Sequence, residues 1–442
     1  MNRGGRPATL VHAAVGTYAT NLGVALLSLV NVLVVARVLG PSGRGDVAFL
    51  IAVALVSAHI VSLSLHESNA NLAASHPDLR PALATNALLW ALALGVVAAV
   101  SVMALAAVVP AVGGEVSRAL LLVALACVPA VLLKLYLGLL VQADYGFAAT
   151  NASWLAGPLT TAITNGVLAL AGVLTVTTAI GAWACGQLLG TTLLCAYIVR
   201  HAGFGRPDAA LARRSLSFGL KAHVGRLMQV GNYRADQWLL GAIAGSRELG
   251  LYSIAVAWAE LLVYIPGVLV LVQRPDLVRA DAEHAARRAA RVCRAAFLVS
   301  AAAAAGLIVA APALCVTVFG ERFQDSIPQL RVLALGALGI VALELLTNVL
   351  TAQRRPMLGS AAFAVAFILT LGLDLILIPP FGGMGAAVAT AIGYSGGGVA
   401  AALIFTRAMR RPLRELVPRT ADVSWLSRTA AALALPARRA PH

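Results

Sequence analysis

Charge is scarce in this chain: Asp, Glu, Lys and Arg together make up 12% of its 442 residues, and only 18 residues are acidic. A soluble domain carries about twice that share, so a water-exposed globular body of this length is excluded. Cysteine is also rare. The five, at 127, 185, 195, 293 and 315, fall in or beside apolar runs without metal or redox spacing, which excludes the usual zinc and disulfide frameworks and leaves them as small packing residues. Long polar connections are the third absence. The longest spans about twenty residues, around 273–290, too short for an extramembrane catalytic domain.

What is present is hydrophobic. Apolar residues make up 60% of the chain and the mean hydropathy is +0.87. A bilayer core of ~30 Å needs about twenty helical residues to cross, and runs of that length recur about twelve times. They lie at 11–36, 46–66, 84–110, 117–142, 149–175, 178–200, 215–245, 250–272, 291–318, 326–352, 357–379 and 384–408. The first run is too long for a signal-peptide core and lacks a small-residue cleavage site, so it reads as a retained helix. The expected fold is an all-α integral membrane protein of about 12 transmembrane helices.

The net charge of +15 follows topology rather than a nucleic-acid surface. With the N-terminus inside, loops and tails on that face carry 23 Arg, against six opposite: Arg37, Arg44, Arg118, Arg247, Arg322 and Arg331. This asymmetry is the positive-inside pattern and sets both termini in the cytoplasm. The stretch 409–442 reads as a basic cytoplasmic tail along anionic headgroups, with Trp425 as an interfacial anchor. No nucleic-acid partner is expected.

An internal repeat organises the chain. NVLVVARVLGPSGRGDVAFLIAV (31–53) overlays DQWLLGAIAGSRELGLYSIAVAW (236–258) without a gap, an offset of 205 residues (31 to 236) that matches Gly40 to Gly245 and Gly45 to Gly250. AIGAWACGQLLG (179–190) resembles GMGAAVATAIGY (383–394) at an offset of 204 residues (179 to 383). Six helices per repeat return the chain to its starting side, so the halves are parallel repeats about an axis along the membrane normal, with the substrate site between them. The expected division is a six-helix lobe at 1–200, a linker at 201–214 and a second lobe at 215–408.

Ionised groups at mid-bilayer cost about 2.5–3.5 kcal/mol on insertion scales, so their helical phase points to a partner or a wet cavity. In the seventh run, Arg226, Gln229, Tyr233 and Asp236 share a 3, 4, 3 spacing and one face, flanked by Asn232 and Arg234. The first run carries Asn21 and Asn31 on one face. The second carries His59 and His66, the eighth Glu260, and the tenth Glu344 and Asn348. A shared polar lumen accounts for these stripes, although Ser, Thr and Asn also serve as interhelical hydrogen bonds and His59 alone is compatible with a core position. Asp374 and Lys134 read as near enough to an interface to snorkel.

The segments ARVLGPSGRGDVAFL (36–50) and YRADQWLLGAIAGSRELGLYSIA (233–255), with Pro266 and QRPDLVR (273–279) after them, resemble the multidrug/oligosaccharidyl-lipid/polysaccharide (MOP) flippase superfamily, and within it the polysaccharide exporter group. The resemblance covers roughly 11–408. It implies a V-shaped pair of six-helix bundles with alternating access and a bacterial cytoplasmic-membrane location. It also implies a lumen that passes the head of a polyprenyl-pyrophosphate-linked oligosaccharide while the tail stays in lipid. On that resemblance Arg226, Arg234, Gln229, Tyr233, Asn21, Asn31, His59, His66 and Arg37 are candidate substrate-binding residues, arginine matching phosphate oxygens bidentately. Asp236 and Glu260 are candidates for a coupling proton or sodium ion. No cofactor is expected beyond that ion; partners would be the lipid-linked glycan, membrane lipids, and a glycan polymerase and glycosyltransferases of the same pathway.

Other readings fit less well. Peptidoglycan-precursor flippases of the superfamily usually have fourteen helices. Its multidrug exporters favour cationic cargo, which the basic residues disfavour. A glycan polymerase needs catalytic groups on a sizeable loop. A major facilitator would resemble G-x-x-x-D-R-x-G-R-R where this chain has HESNANLAASHPDLRP (66–81).

Overall fold

The computed structural model describes residues 6–279, 282–353 and 355–422. Among them there is no strand. Twelve α-helices follow in order: α1 (Arg6–Val61), α2 (Leu65–Ser75), α3 (Arg80–Val108), α4 (Arg118–Ala126), α5 (Val128–Ala143), α6 (Phe147–Leu170), α7 (Val176–His201), α8 (Ala209–Ile243), α9 (Gly245–Arg279), α10 (Ala282–Pro312), α11 (Ser326–Ala352) and α12 (Pro356–Ala408).

Seven described segments are long and apolar enough to cross a membrane. Two of these, Gly16–Val61 and Pro356–Ala408, run to 46 and 53 residues, or about 70–80 Å if straight, more than twice a bilayer core. Each is two spans joined at a glycine with left-handed backbone, Gly40 (φ 69°) and Gly382 (φ 53°). Pro41 then opens the second span of α1, a helix start where its missing N–H costs nothing. Adding α6, α8 and α9, whose described residues fall short of that apolarity, restores about twelve spans.

The repeat is visible as a contact. Gly40 and Gly245, one repeat apart, both take positive φ (69° and 85°). Just beyond them, a Cβ on Gly45 would lie 1.7 Å from the Ser246 carbonyl oxygen, and one on Gly250 would lie 1.9 Å from that of Pro41. Pro41 and Ser246 are themselves one repeat apart, so α1 and α9 meet through a self-complementary patch related by a pseudo-two-fold axis. This is the turn end of the molecule. The patch is reinforced by a hydrogen bond from the Ser246 hydroxyl to Asp46, by the Ser246 N–H donating to Glu115 (2.9 Å), and by Phe49, seated against Gly114 and Gly241.

At the opposite end lies the connection between the halves. The Gly205 N–H donates to Pro81 O (3.0 Å), and the Asn86 amide brackets the backbone of Asp208, which in turn caps the first turn of α8. Here α2 approaches α8, where Ser64 Oγ and His223 Nδ1 lie 3.3 Å apart and His223 Nε2 is 2.9 Å from Ile60 O. The described part of the C-terminal stretch, 409–422, folds onto α10. Arg294 binds Asp422 at 2.7 and 3.0 Å and donates to Glu415 O, because a bidentate charged pair outweighs leaving the segment free. Trp425 lies outside the described residues.

Candidate functional site

A cavity of about 330 Å³ opens between the halves. Its walls come from both spans of α1, from α6 and α7, and, facing them, from α8 and α9. The lining contains six pairs of positions separated by one repeat of 205: Leu29/Arg234, Val32/Gln237, Ala48/Ser253, Ile51/Val256, Ala52/Ala257 and Leu55/Glu260. The pseudo-two-fold therefore passes through the cavity. In four of those pairs the N-terminal member is apolar and the C-terminal member polar or charged, so the two walls differ in chemistry.

Arg234 projects from α8 and pairs with Glu260 of α9 at 3.0 Å, both about one-third exposed to the cavity. From the opposite half comes Arg44, in the first turns after the Gly40 kink. Its Nε is buried without a hydrogen-bond partner among the described residues, and it lies within electrostatic reach of both Arg234 and Glu260. Two guanidinium groups thus face one carboxylate. Asn31 accepts a hydrogen bond from Asn165 of α6 (2.7 Å), and Gln187 of α7 accepts one from Lys134 Nζ (3.1 Å). Lys134 is consequently an interior residue behind the cavity wall, not one snorkelling to an interface.

The stripe expected on α8 divides. Arg226 donates to Gln229 (3.0 Å), and both line a second cavity towards the linker end. Tyr233 and Asp236 turn into the C-terminal half: Tyr233 donates to Glu344 (2.5 Å), and Asp236 accepts from Tyr252 OH (2.5 Å) and from the Gln237 N–H (2.8 Å). Of the flanking positions, Arg234 faces the central cavity, together with Gln237, whereas Asn232 donates to Phe363 O of α12 (3.1 Å). The physical reason is that a helix in a two-half assembly has two faces turned away from lipid, one to its own half and one to the other. A 3, 4, 3 spacing identifies a face but not which.

Asp236 is 4% exposed, and Tyr252, which holds it, also contacts Thr390 (3.2 Å). Close by, Asp374 of α12 is fully buried, with neither carboxylate oxygen partnered among the described residues. It faces Asp236 within electrostatic range. Asp374 is thus deep in the fold rather than at an interface.

The remaining candidates fall elsewhere. Arg37 donates to the carbonyls of Val318 (2.7 Å) and Thr317 (2.8 Å), tying α1 to the end of α10. His66 is buried in the N-terminal half and stacks on Tyr136 at 6.4 Å. His59 is half-buried, and Asn21 is half-buried on α1; neither lines the central cavity. Sequence reasoning passed over Arg44, Gln187 and Gln237. For Arg44 a signal was present: the Gly40-Pro41 pair starts a helix at 41, which moves Arg44 out of a loop and onto a span.

The profile of the polysaccharide biosynthesis protein family matches residues 34–328, more than half of the chain, including Arg44, Arg234 and Glu260 of the central cavity. This protein belongs to that family. No curated protein sequence matches it. Solved structures share its fold at low identity. An inward-facing multidrug resistance MATE family transporter of the MOP superfamily is 15% identical with a TM-score of 0.71, over 90% of this chain and 98% of that one. The lipid II flippase MurJ, in an inward closed conformation, is 13% identical with a TM-score of 0.73, over 96% and 93%. A MOP superfamily transporter from Pyrococcus furiosus, described by a binding pocket of reverse polarity, is 13% identical with a TM-score of 0.65, over 91% and 95%. The family member is a multi-pass membrane protein with the MOP transporter fold.

Proposed function

We propose that this protein is a flippase that carries a polyprenyl-pyrophosphate-linked oligosaccharide across the cytoplasmic membrane by alternating access, supplying a cell-surface polysaccharide pathway. The observation that carries the reading is the central cavity, where Arg44 and Arg234 from opposite halves face a single carboxylate, Glu260. Guanidinium groups bind pyrophosphate oxygens with paired hydrogen bonds, and two of them converging from the two halves would release the head when the halves separate. The same charges repel organic cations, which speaks against drug efflux.

The distribution of arginine supports both termini, and hence the linker end, facing the cytoplasm. The turn end, closed by the glycine patch, then faces outward. Asp236, with Asp374, Tyr252 and Thr390 beside it, is the proposed site for a coupling proton or sodium ion. Two carboxylates and hydroxyl oxygens in a buried cluster suit a small hard cation. A glycan polymerase and glycosyltransferases of the same pathway are the proposed partners.

The test is to replace Arg44 and Arg234 with alanine in a strain that depends on this protein for surface glycan. Loss of two charged phosphate contacts, about 1.5–3 kcal/mol each, lowers export at least tenfold and accumulates lipid-linked intermediate on the cytoplasmic face. Normal surface glycan in the folded double variant defeats the reading.

A further inference from the structure

The cavity that Arg226 and Gln229 line plays no part in the central site. Its volume is about 660 Å³, twice that of the central cavity, and the two share no lining residue. It is walled by α8, the end of α11 and the start of α12, with Glu67 of α2 at its edge. Its polar and basic lining is Arg226, with its Nε buried and unpartnered among the described residues, Asn348 of α11 and the exposed Lys221. Glu67 is the one carboxylate among the lining residues, and Glu344, behind the wall, lies within electrostatic reach of Arg226.

The rim is the opposite. Val224 is 60% and Met357 77% exposed, with Phe218 also exposed, and all three border the opening. On spans that cross a membrane, such side chains face acyl chains. The cavity's level is fixed by α11 ending at Ala352 and α12 beginning at Pro356, which puts it where those helices leave the membrane at the linker end. Lipid phosphates lie at that depth. An opening with apolar lips towards lipid and a guanidinium in its lining whose Nε has no partner among the described residues is complementary to one ligand class, an amphiphile with an anionic head.

We propose that this cavity is a lateral entry station, which takes the phosphorylated head of a prenyl lipid directly from the bilayer while the chain remains against Val224 and Met357. Arg226 and Arg234 are eight residues apart on α8, about 12 Å along the helix, so the head passes from one guanidinium to the next along a single element. That onward step rests on the flippase reading; binding at the station does not.

The experiment uses the purified full-length chain in lipid nanodiscs with a farnesyl diphosphate carrying a photoreactive diazirine on its prenyl chain, and maps the labelled peptides by mass spectrometry. Labelling is expected within 218–228 and 356–364. Farnesol and inorganic pyrophosphate should compete at least tenfold less well than unlabelled farnesyl diphosphate. Arg226→Gln lowers station labelling about tenfold or more. The exposed Lys221→Ala, which leaves the interior untouched, lowers it less, while Arg234→Ala leaves it unchanged. The proposal is overturned by labelling confined to the central cavity, by labelling at the station indifferent to both Arg226→Gln and Lys221→Ala, or by competition from inorganic pyrophosphate equal to that of the prenyl diphosphate, which would mark a free-anion site. Station labelling in a protein that fails to export would defeat only the flippase reading. Export without station labelling would defeat only this one.

Discussion

The glycine patch between α1 and α9 makes a quantitative demand. An alanine at Gly45 places its Cβ 1.7 Å from the Ser246 carbonyl oxygen, whereas carbon and carbonyl oxygen approach no closer than about 3.3 Å in ordinary packing. The two backbones must therefore part by roughly 1.6 Å. Both are helices, and neither atom belongs to a flexible side chain that could move aside. Overpacking of this kind costs about 1–3 kcal/mol, and here the cost falls only on the state in which the turn end is closed. The ratio of closed to open molecules should fall about 5- to 150-fold. Gly250→Ala, facing Pro41 O at 1.9 Å, should act the same way because the contact is self-complementary. Gly372→Ala, with nothing within 4 Å of its Cβ, is the control. Spin labels on the exposed positions Ser42 and Gln324, in a chain whose five cysteines have been replaced, report the distance across the turn end. Gly45→Ala and Gly250→Ala should each transfer population to longer distances and reduce transport. Distance distributions unchanged in both, in folded protein, would show that the patch does not hold the closed state.

Three further outcomes follow from individual contacts. Arg37→Ala removes two hydrogen bonds to the carbonyls of residues 317 and 318, so it should lower thermal stability by about 1 kcal/mol while leaving the substrate concentration for half-maximal transport unchanged; a shift in that concentration would assign Arg37 to the lumen instead. Asp374→Asn removes a buried carboxylate with no partner among the described residues and should raise the melting temperature by the equivalent of about 1 kcal/mol while abolishing the dependence of transport on proton or sodium gradients. The hydrogen bonds from Arg294 hold the Asp422 carboxyl below its ordinary range, so docking of 409–422 contributes its full stability above that range and loses it as the pH falls through the lower, folded-state value, below about pH 4. Limited proteolysis of the segment should accelerate on acidification in the native chain, and Arg294→Ala should show the fast rate already at neutral pH.

The spans were legible because a bilayer imposes one length on every apolar run. The repeat was legible because a turn and a close backbone approach both demand glycine, which left Gly40, Gly45, Gly245 and Gly250 in register. The site was legible only in part, and α8 shows why. Periodicity reveals that Arg226, Gln229, Tyr233 and Asp236 share a face, yet which neighbour that face meets depends on tertiary packing. The structure sends Arg226 and Gln229 to one cavity and Tyr233 and Asp236 into the C-terminal half. The partner of Asp236 could not be read from its own helix, since Tyr252 and Asp374 arrive from α9 and α12. His66 looked like a lumen residue because a polar stripe has the same spacing whether it meets water or Tyr136.

The symmetry also explains what each half contributes. At the turn end the two halves present equivalent groups, Gly45 to Ser246 and Gly250 to Pro41, so the contact breaks evenly and suits a hinge that opens as a unit. Three to ten residues beyond Gly45 and Gly250 the equivalence fails: Ala48 has Ser253 as its counterpart in the lining, and Leu55 has Glu260. A cavity with identical walls would bind a head equally from either half and give no direction to its release. On the flippase reading, with Arg234 and Glu260 on one wall and Arg44 with the uncharged Asn31 and Gln187 on the other, parting the halves leaves the head on the C-terminal wall. That wall includes α8, the same helix that carries Asp236 on its other side. On the flippase reading, occupancy of the buried carboxylates would therefore be felt by the same helix that holds the head, which would link an ion gradient to a phosphorylated cargo through α8.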